Sequence, residues 1–228
     1  MPLSIPEKCD GCGASFSVAH GLACKKGGLV TLRHNEVAAE WRDLCAAALT
    51  PAAVSTEPRI YTGRPTARAS GGSDEEARQP VADDLRGDVG VHGFWRRAAT
   101  CIFDVRVADT DARSYLATAP AKVLERHERE KKGKYLEACV ERRRSFTPLV
   151  FSVDGLHATE AAAATKRLSA LLASKWSRTY SEVCGFVRSR LALSLVRATS
   201  LCLRGARDSS ARAVNPYWES GSGMALYW

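Results

Sequence analysis

A chain of 228 residues with 45% hydrophobic content carries enough apolar side chain for a packed core of one or two domains, which excludes a disordered tail. The formal charge of +8 fits either a polyanionic partner or a merely solvated basic surface. No apolar stretch approaches the roughly 20 residues of a membrane span, and the segment before Glu7 is too short and polar for a signal peptide, so the reading is an intracellular protein without a membrane partner.

Taken in chain order, residues 8 to 32 are rich in Cys and His, and helical spacing of Val37, Trp41, Leu44 and Cys45 predicts a helix from His34 to about Leu49, ended by Pro51. Arg59-Ile60-Tyr61 suggests a short strand. The Gly, Pro and Ser content of residues 62 to 87 predicts a flexible insert. Strands follow at Val89 to Trp95 and at Cys101 to Val107, the latter rich in β-branched residues. Pro120 opens a charged helix reaching Arg144, and Phe146 to Val153 is a further strand closed by Asp154-Gly155. Two helices finish the pattern, one carrying Ala161, Leu168 and Leu172 on one face and the other Val183, Val187, Leu191 and Leu195, with Gly205 as its stop. The order is helix, three strands, helix, strand, helices, an α/β sheet sandwiched by helices. After Arg207 the composition is that of a loose tail.

Cysteines in a reducing compartment separate into clustered ones, which suggest metal, and scattered ones, which suggest packing. Cys45, Cys101, Cys139, Cys184 and Cys202 are scattered through apolar stretches. Cys9 and Cys12 form Cys-x2-Cys, and His20 and Cys24 follow as His-x3-Cys, a set that supplies four zinc ligands within a peptide too small for its own core. With all four positions filled the Zn²⁺ is structural. Gly11 and Gly13 ease the turn, and His34 is a competing ligand.

Phosphodiester cleavage needs neutralised phosphate charge and a polarised water, commonly from divalent cations held on carboxylates. Asp88 stands at the start of one strand, and Asp104 interrupts the apolar run of the next, where a carboxylate is costly unless paired or metal-bound. A salt bridge from Asp104 to Arg106 or to a lysine is the plainer alternative. Lys131 and Lys134 follow on the long helix. Arg190, Arg197 and Arg204 recur at seven-residue spacing, with Arg207 extending the row, and suit either phosphate contacts or a solvated face paired with Glu182 or Asp208.

The ordered set Cys9-Cys12-His20-Cys24, Arg33-His34-Asn35, Arg86-Gly87-Asp88, Asp104-Val105-Arg106 and Lys131-x2-Lys134-Tyr135 resembles the carboxyl-terminal region of non-LTR retrotransposon proteins that carry a restriction-like endonuclease. The resemblance spans residues 5 to about 207. It implies a zinc knuckle at residues 1 to 32, a nuclease domain at 33 to 207 with the restriction-endonuclease-like αβββαβ core and flanking helices, and a tail at 208 to 228. Asp88 and Asp104 would then bind Mg²⁺ or Mn²⁺, Lys131 or Lys134 would hold the scissile phosphate or orient the water, and Tyr135 would support the site. Arg33, His34, Arg190, Arg197 and Arg204 would contact nucleic acid. The implied partners are DNA, the element's RNA and a reverse transcriptase domain in a parent protein, and an active copy would work in the nucleus. Two departures stand out. Gly87 replaces the family's Pro, with Asp83 and Asp84 close by as competitors for Asp88, and Arg106 occupies a place where related nucleases have lysine, moving that role to the helix. The alternatives are an inactive nucleic-acid-binding remnant and a zinc-stabilised interaction module.

Overall fold

The computed structural model describes residues 6 to 60, 85 to 205 and Arg207. Tyr61, most of the expected insert, Asp83, Asp84 and the tail from 208 lie outside these residues. The first turns carry a short helix α1 (Val18–Ala23) capped by Ser17, whose hydroxyl accepts from the His20 N–H at 3.1 Å. Gly27 and Gly28, both with φ near +72°, then turn the chain directly into α2 (Leu29–Ala48). This helix begins five residues before His34.

The sheet has four strands, β1 (Val54–Thr56), β2 (Val89–His92), β3 (Thr100–Ala108) and β4 (Ser145–Ser152), in the spatial order in which they occur. β1 to β3 are antiparallel neighbours, while β4 joins β3 in parallel after a crossover through α3 (Pro120–Glu141). α4 (Thr159–Trp176) and α5 (Tyr180–Arg204) complete the chain order. The mixed sheet with flanking helices agrees with the sequence expectation; its first strand does not. Arg59 forms only an isolated bridge to Arg86, and the true first strand is Val54–Thr56. β2 is also shorter than expected. Gly93 (φ +82°) turns the chain, its N–H donating to Ala99 O at 2.9 Å, so Phe94 and Trp95 belong to a loop that folds Phe94 into the core.

Alternation along β3 divides the molecule into layers. Cys101, Phe103 and Val105 face the main core, where Trp41 of α2, Leu168 and Leu172 of α4 and Val187 and Leu191 of α5 are fully buried. Ile102, Asp104 and Ala108 face the other way, toward α3, with Ile102 packed on Tyr135, Cys139 and Phe146 and Ala108 on Leu124 and Val150. Asp104 therefore belongs to the thinner α3 side. Cys45, Cys101, Cys139 and Cys202 are buried as packing predicts, and Cys184 is half-buried. Gly205 stops α5 with its N–H on Leu201 O. Its backbone is extended rather than left-handed, and glycine is needed because a Cβ would lie 2.5 Å from that same oxygen.

Candidate metal and carboxylate centres

The knuckle brings its four predicted ligands together. The Sγ atoms of Cys9, Cys12 and Cys24 and one ring nitrogen of His20 all lie within 4.8 Å of one another. Cys9 Sγ and Cys24 Sγ are 3.8 Å apart, Cys12 Sγ and Cys24 Sγ 3.9 Å, and Cys12 Sγ and His20 Nε2 3.3 Å. A tetrahedron with Zn–S bonds of about 2.3 Å has an edge of about 3.8 Å, so these spacings suit one ion; a disulfide would need about 2.05 Å. Protonation agrees. Burial raises the Cys9 thiol, but hydrogen bonds from His20 and the Gly11 and Cys12 backbone bring it down to about 6. For Cys12 the Ala14 backbone favours the thiolate, yet desolvation and the neighbouring Cys9 and Cys24 sulfurs push it up. Crowded thiolates repel, and a divalent cation removes that conflict.

A contact invisible in the spacing holds this knuckle to the rest of the chain. Arg207 is buried, with Nη2 donating to Gly21 O at 3.0 Å and to Cys202 O, its own N–H on Asp10, and its guanidinium 5.3 Å from the Phe16 ring centre. Any Cβ at Gly11 or Gly27 would strike Arg207, at 2.8 and 2.5 Å. Gly11 is thus required for close approach, while Gly13 (φ +72°) supplies the expected turn. Arg207 does not extend a surface row.

The second centre is assembled from four separate elements. β2 and β3 pair Val89 with Phe103, and Asp88, just before β2, lies close enough to Asp104 on β3 for its charge to act on that carboxyl. The Asp88 N–H donates to Phe103 O at 2.9 Å, and its Oδ2 accepts from the Val105 N–H. Gly87 is explained by the same packing: a Cβ there would lie 2.3 Å from Ile102 Cγ2, and its N–H donates to Pro58 O, so proline has neither the space nor the hydrogen. From α3, Lys131 pairs with Asp104 Oδ2, and Tyr135, one helical turn on, directs its hydroxyl to Asp104. Lys134 is exposed and lies over the Tyr135 ring at 4.7 Å rather than on a carboxylate. Arg106 is drawn away by Glu130 at 2.7 Å, which His127 also contacts.

Burial raises the Asp104 carboxyl above its ordinary value, and the Asp88 charge adds to the rise against Lys131 and Tyr135. Burial and the Asp104 carboxylate likewise raise the Tyr135 phenol, keeping it a donor. Asp88 and Asp104 are therefore neighbouring acids sharing one field. Among the described residues, only the cysteine cluster gathers three or more potential protein ligands around one point. A cation between the two aspartates would rest on their carboxylates, with water or phosphate completing its shell, as Mg²⁺ commonly does.

The expected nucleic-acid contacts separate in the structure. Arg33 is 3% exposed, since it continues the Leu29, Val37 and Trp41 stripe of α2 and lies beside the Cys202 thiol; it has no surface to offer a phosphate. His34 does not compete for the zinc set and is not given over to a nucleic-acid contact, because its Nε2 lies 3.0 Å from Asp88 Oδ1. Arg190 is tied to Glu40 at 2.8 Å, whereas Arg197 and Arg204 are exposed on α5. The His34 contact was the functional relation that sequence reasoning missed. Its signal was positional: His34, Val37 and Trp41 share an i, i+3, i+7 face directed at the sheet.

Neither a family model nor a curated protein matches this sequence. Among the described residues, no helix is long and apolar enough to cross a membrane.

Proposed function

We propose that this chain is a metal-dependent DNA endonuclease domain of the restriction-like type, joined to a structural zinc knuckle, that nicks target DNA to prime reverse transcription in a retrotransposon protein. The observation that supports the reading is the closeness of Asp88 to Asp104, whose carboxyl feels the Asp88 charge, while α3 presents Lys131 and Tyr135 to Asp104. The helix and strand order, α2 β1 β2 β3 α3 β4, supports the αβββαβ core that the resemblance implies.

Bound Mg²⁺ or Mn²⁺ would neutralise phosphate charge and acidify a water. Asp88 and Asp104 would hold the ion. Lys131, released from Asp104 as positive charge arrives between the acids, would take a phosphate oxygen. Tyr135 would keep the Asp104 carboxylate oriented through its hydroxyl, and Lys134, Arg197 and Arg204 would meet the DNA backbone. Arg106, held by Glu130, takes no part.

The test is nicking of supercoiled plasmid by the zinc-loaded protein with Mg²⁺ or Mn²⁺, beside Asp104→Ala. Metal-dependent nicking that the substitution abolishes is expected; no nicking, or nicking indifferent to it, rejects the reading. The Lys131 ion pair also supports a second reading, a nucleic-acid-binding remnant with a self-neutralised site. That reading is selected by salt-dependent DNA binding without cleavage.

A further inference from the structure

Asp88 is held from two sides. β3 supplies the Val105 N–H to Oδ2, and α2, which belongs to the opposite layer from α3, supplies His34 to Oδ1 at 3.0 Å. An ionised carboxylate can only accept, so the His34 Nε2 carries the proton and donates it. Each Asp88 oxygen then has one hydrogen bond and retains lone-pair capacity for a cation, and its charge reaches Asp104. His34 is about one-third exposed and Asp88 about one-fifth, so the contact is shielded enough to restrict the carboxylate plane. Without the imidazole, only the Val105 N–H and the backbone would fix that plane at the edge of β2.

From this geometry we infer that His34 is a positioning residue for cation binding, which locks the orientation of the Asp88 carboxylate beside Asp104. It touches neither substrate nor reacting atoms and acts through Asp88. The inference rests on the endonuclease reading of the Asp88 and Asp104 pair, and it replaces a nucleic-acid contact for His34 with an internal one. Partners that orient a liganding side chain typically contribute about 10 to 100-fold to metal affinity.

The experiment is a Mn²⁺ titration of the zinc-loaded protein, followed by the spin resonance of free Mn²⁺, for wild type, His34→Ala, His34→Gln and Asp88→Ala. Circular dichroism and zinc content establish folding, and plasmid nicking is measured against Mn²⁺ concentration in parallel. Glutamine can place an amide N–H close to the Nε2 position. Wild type is expected to bind Mn²⁺, Asp88→Ala to lose it, His34→Ala to bind at least about tenfold more weakly, and His34→Gln to recover most of the loss. The nicking curve of His34→Ala should shift to higher Mn²⁺ with its plateau retained, a split that general destabilisation would not produce. Wild-type protein that binds no Mn²⁺ rejects the endonuclease reading and this inference with it. Wild type that binds and nicks beside a His34→Ala variant of equal Mn²⁺ affinity rejects this inference alone. So does a His34→Gln variant that fails to fold or recovers nothing, since the imidazole would then serve packing.

Discussion

The two centres are built at opposite scales. The cysteine cluster closes within residues 9 to 24, using one turn, one short helix and its cap, whereas the carboxylate centre draws on α2, β2, β3 and α3 across residues 34 to 135. Short-range geometry gives the first its ligands almost independently of the sheet. The second exists only if strand register is right, because a slip of one residue would turn Asp104 to the opposite face. Ligand chemistry also differs: soft thiolates in a near-tetrahedral set favour a firmly held ion, and two hard carboxylates with a lysine on one of them favour at most an exchangeable one.

The largest effect that would sharpen this contrast is loss of zinc. Structural zinc contributes apparent binding free energy on the order of 10 kcal/mol near neutral pH, so Cys24→Ser should abolish stoichiometric zinc by elemental analysis and unprotect amides around Gly21 while leaving β3 protected. Equal loss of protection in both regions would show that the centres do not stand apart. Next is Asp104→Asn, which should reduce nicking by about a hundredfold or more, the scale of a single charge-stabilising group, with zinc content unchanged.

An intermediate effect belongs to Arg207→Ala. Losing charge-assisted bonds to Gly21 O and Cys202 O from a buried guanidinium should cost about 2 to 3 kcal/mol in urea unfolding and weaken zinc retention against a chelator. Unchanged zinc retention would show that the knuckle is energetically separate from α5. A smaller effect is pH dependent. The Asp88 hydrogen bond raises His34 above its ordinary 6.5 despite opposition from burial. Stabilisation by a group whose folded pKa is raised is complete below its unfolded value and fades as pH rises through the folded one. The stability difference between wild type and His34→Gln should therefore be greatest at mildly acidic pH and decline toward alkaline pH; a difference constant with pH would break the coupling. Smallest is Arg197→Ala or Arg204→Ala, each expected to lower the salt slope of DNA binding by about 1 without changing sequence preference.

These scales explain what could be read from sequence. Cys-x2-Cys and His-x3-Cys state ligand identity and reach directly, so all four residues were legible. Asp104 was legible as an anomaly, a charge inside an apolar strand, and Lys131 as a lysine on the following helix, while Tyr135 entered only through the resemblance. The approach of Asp88 to Asp104 depends on a strand pairing that an intervening loop obscures, and the partner of His34 lies 54 positions away on another element. The surface assignment of Arg33, implied by the resemblance, failed because the residue lies on a buried helical stripe, and that of Arg207 because the helical row was continued past the end of α5. Gly87 misled in the other direction: its absent side chain makes room for Ile102.

The Arg207 contact has a consequence for the order in which the molecule is made. It joins Asp10 to a residue 197 positions later, so it can form only after every strand and helix between them has been synthesised and brought close. Closing so long a loop costs only about 0.6 kcal/mol more for each doubling of length, but contacts of this separation form late. During synthesis the four metal ligands, residues 9 to 24, emerge well before α5 and could bind zinc early, while the knuckle remained free to swing until α5 arrived. The last turn of the fold thus acts as a latch on the first, converting a tethered metal module into a fixed one only when the chain between them is complete.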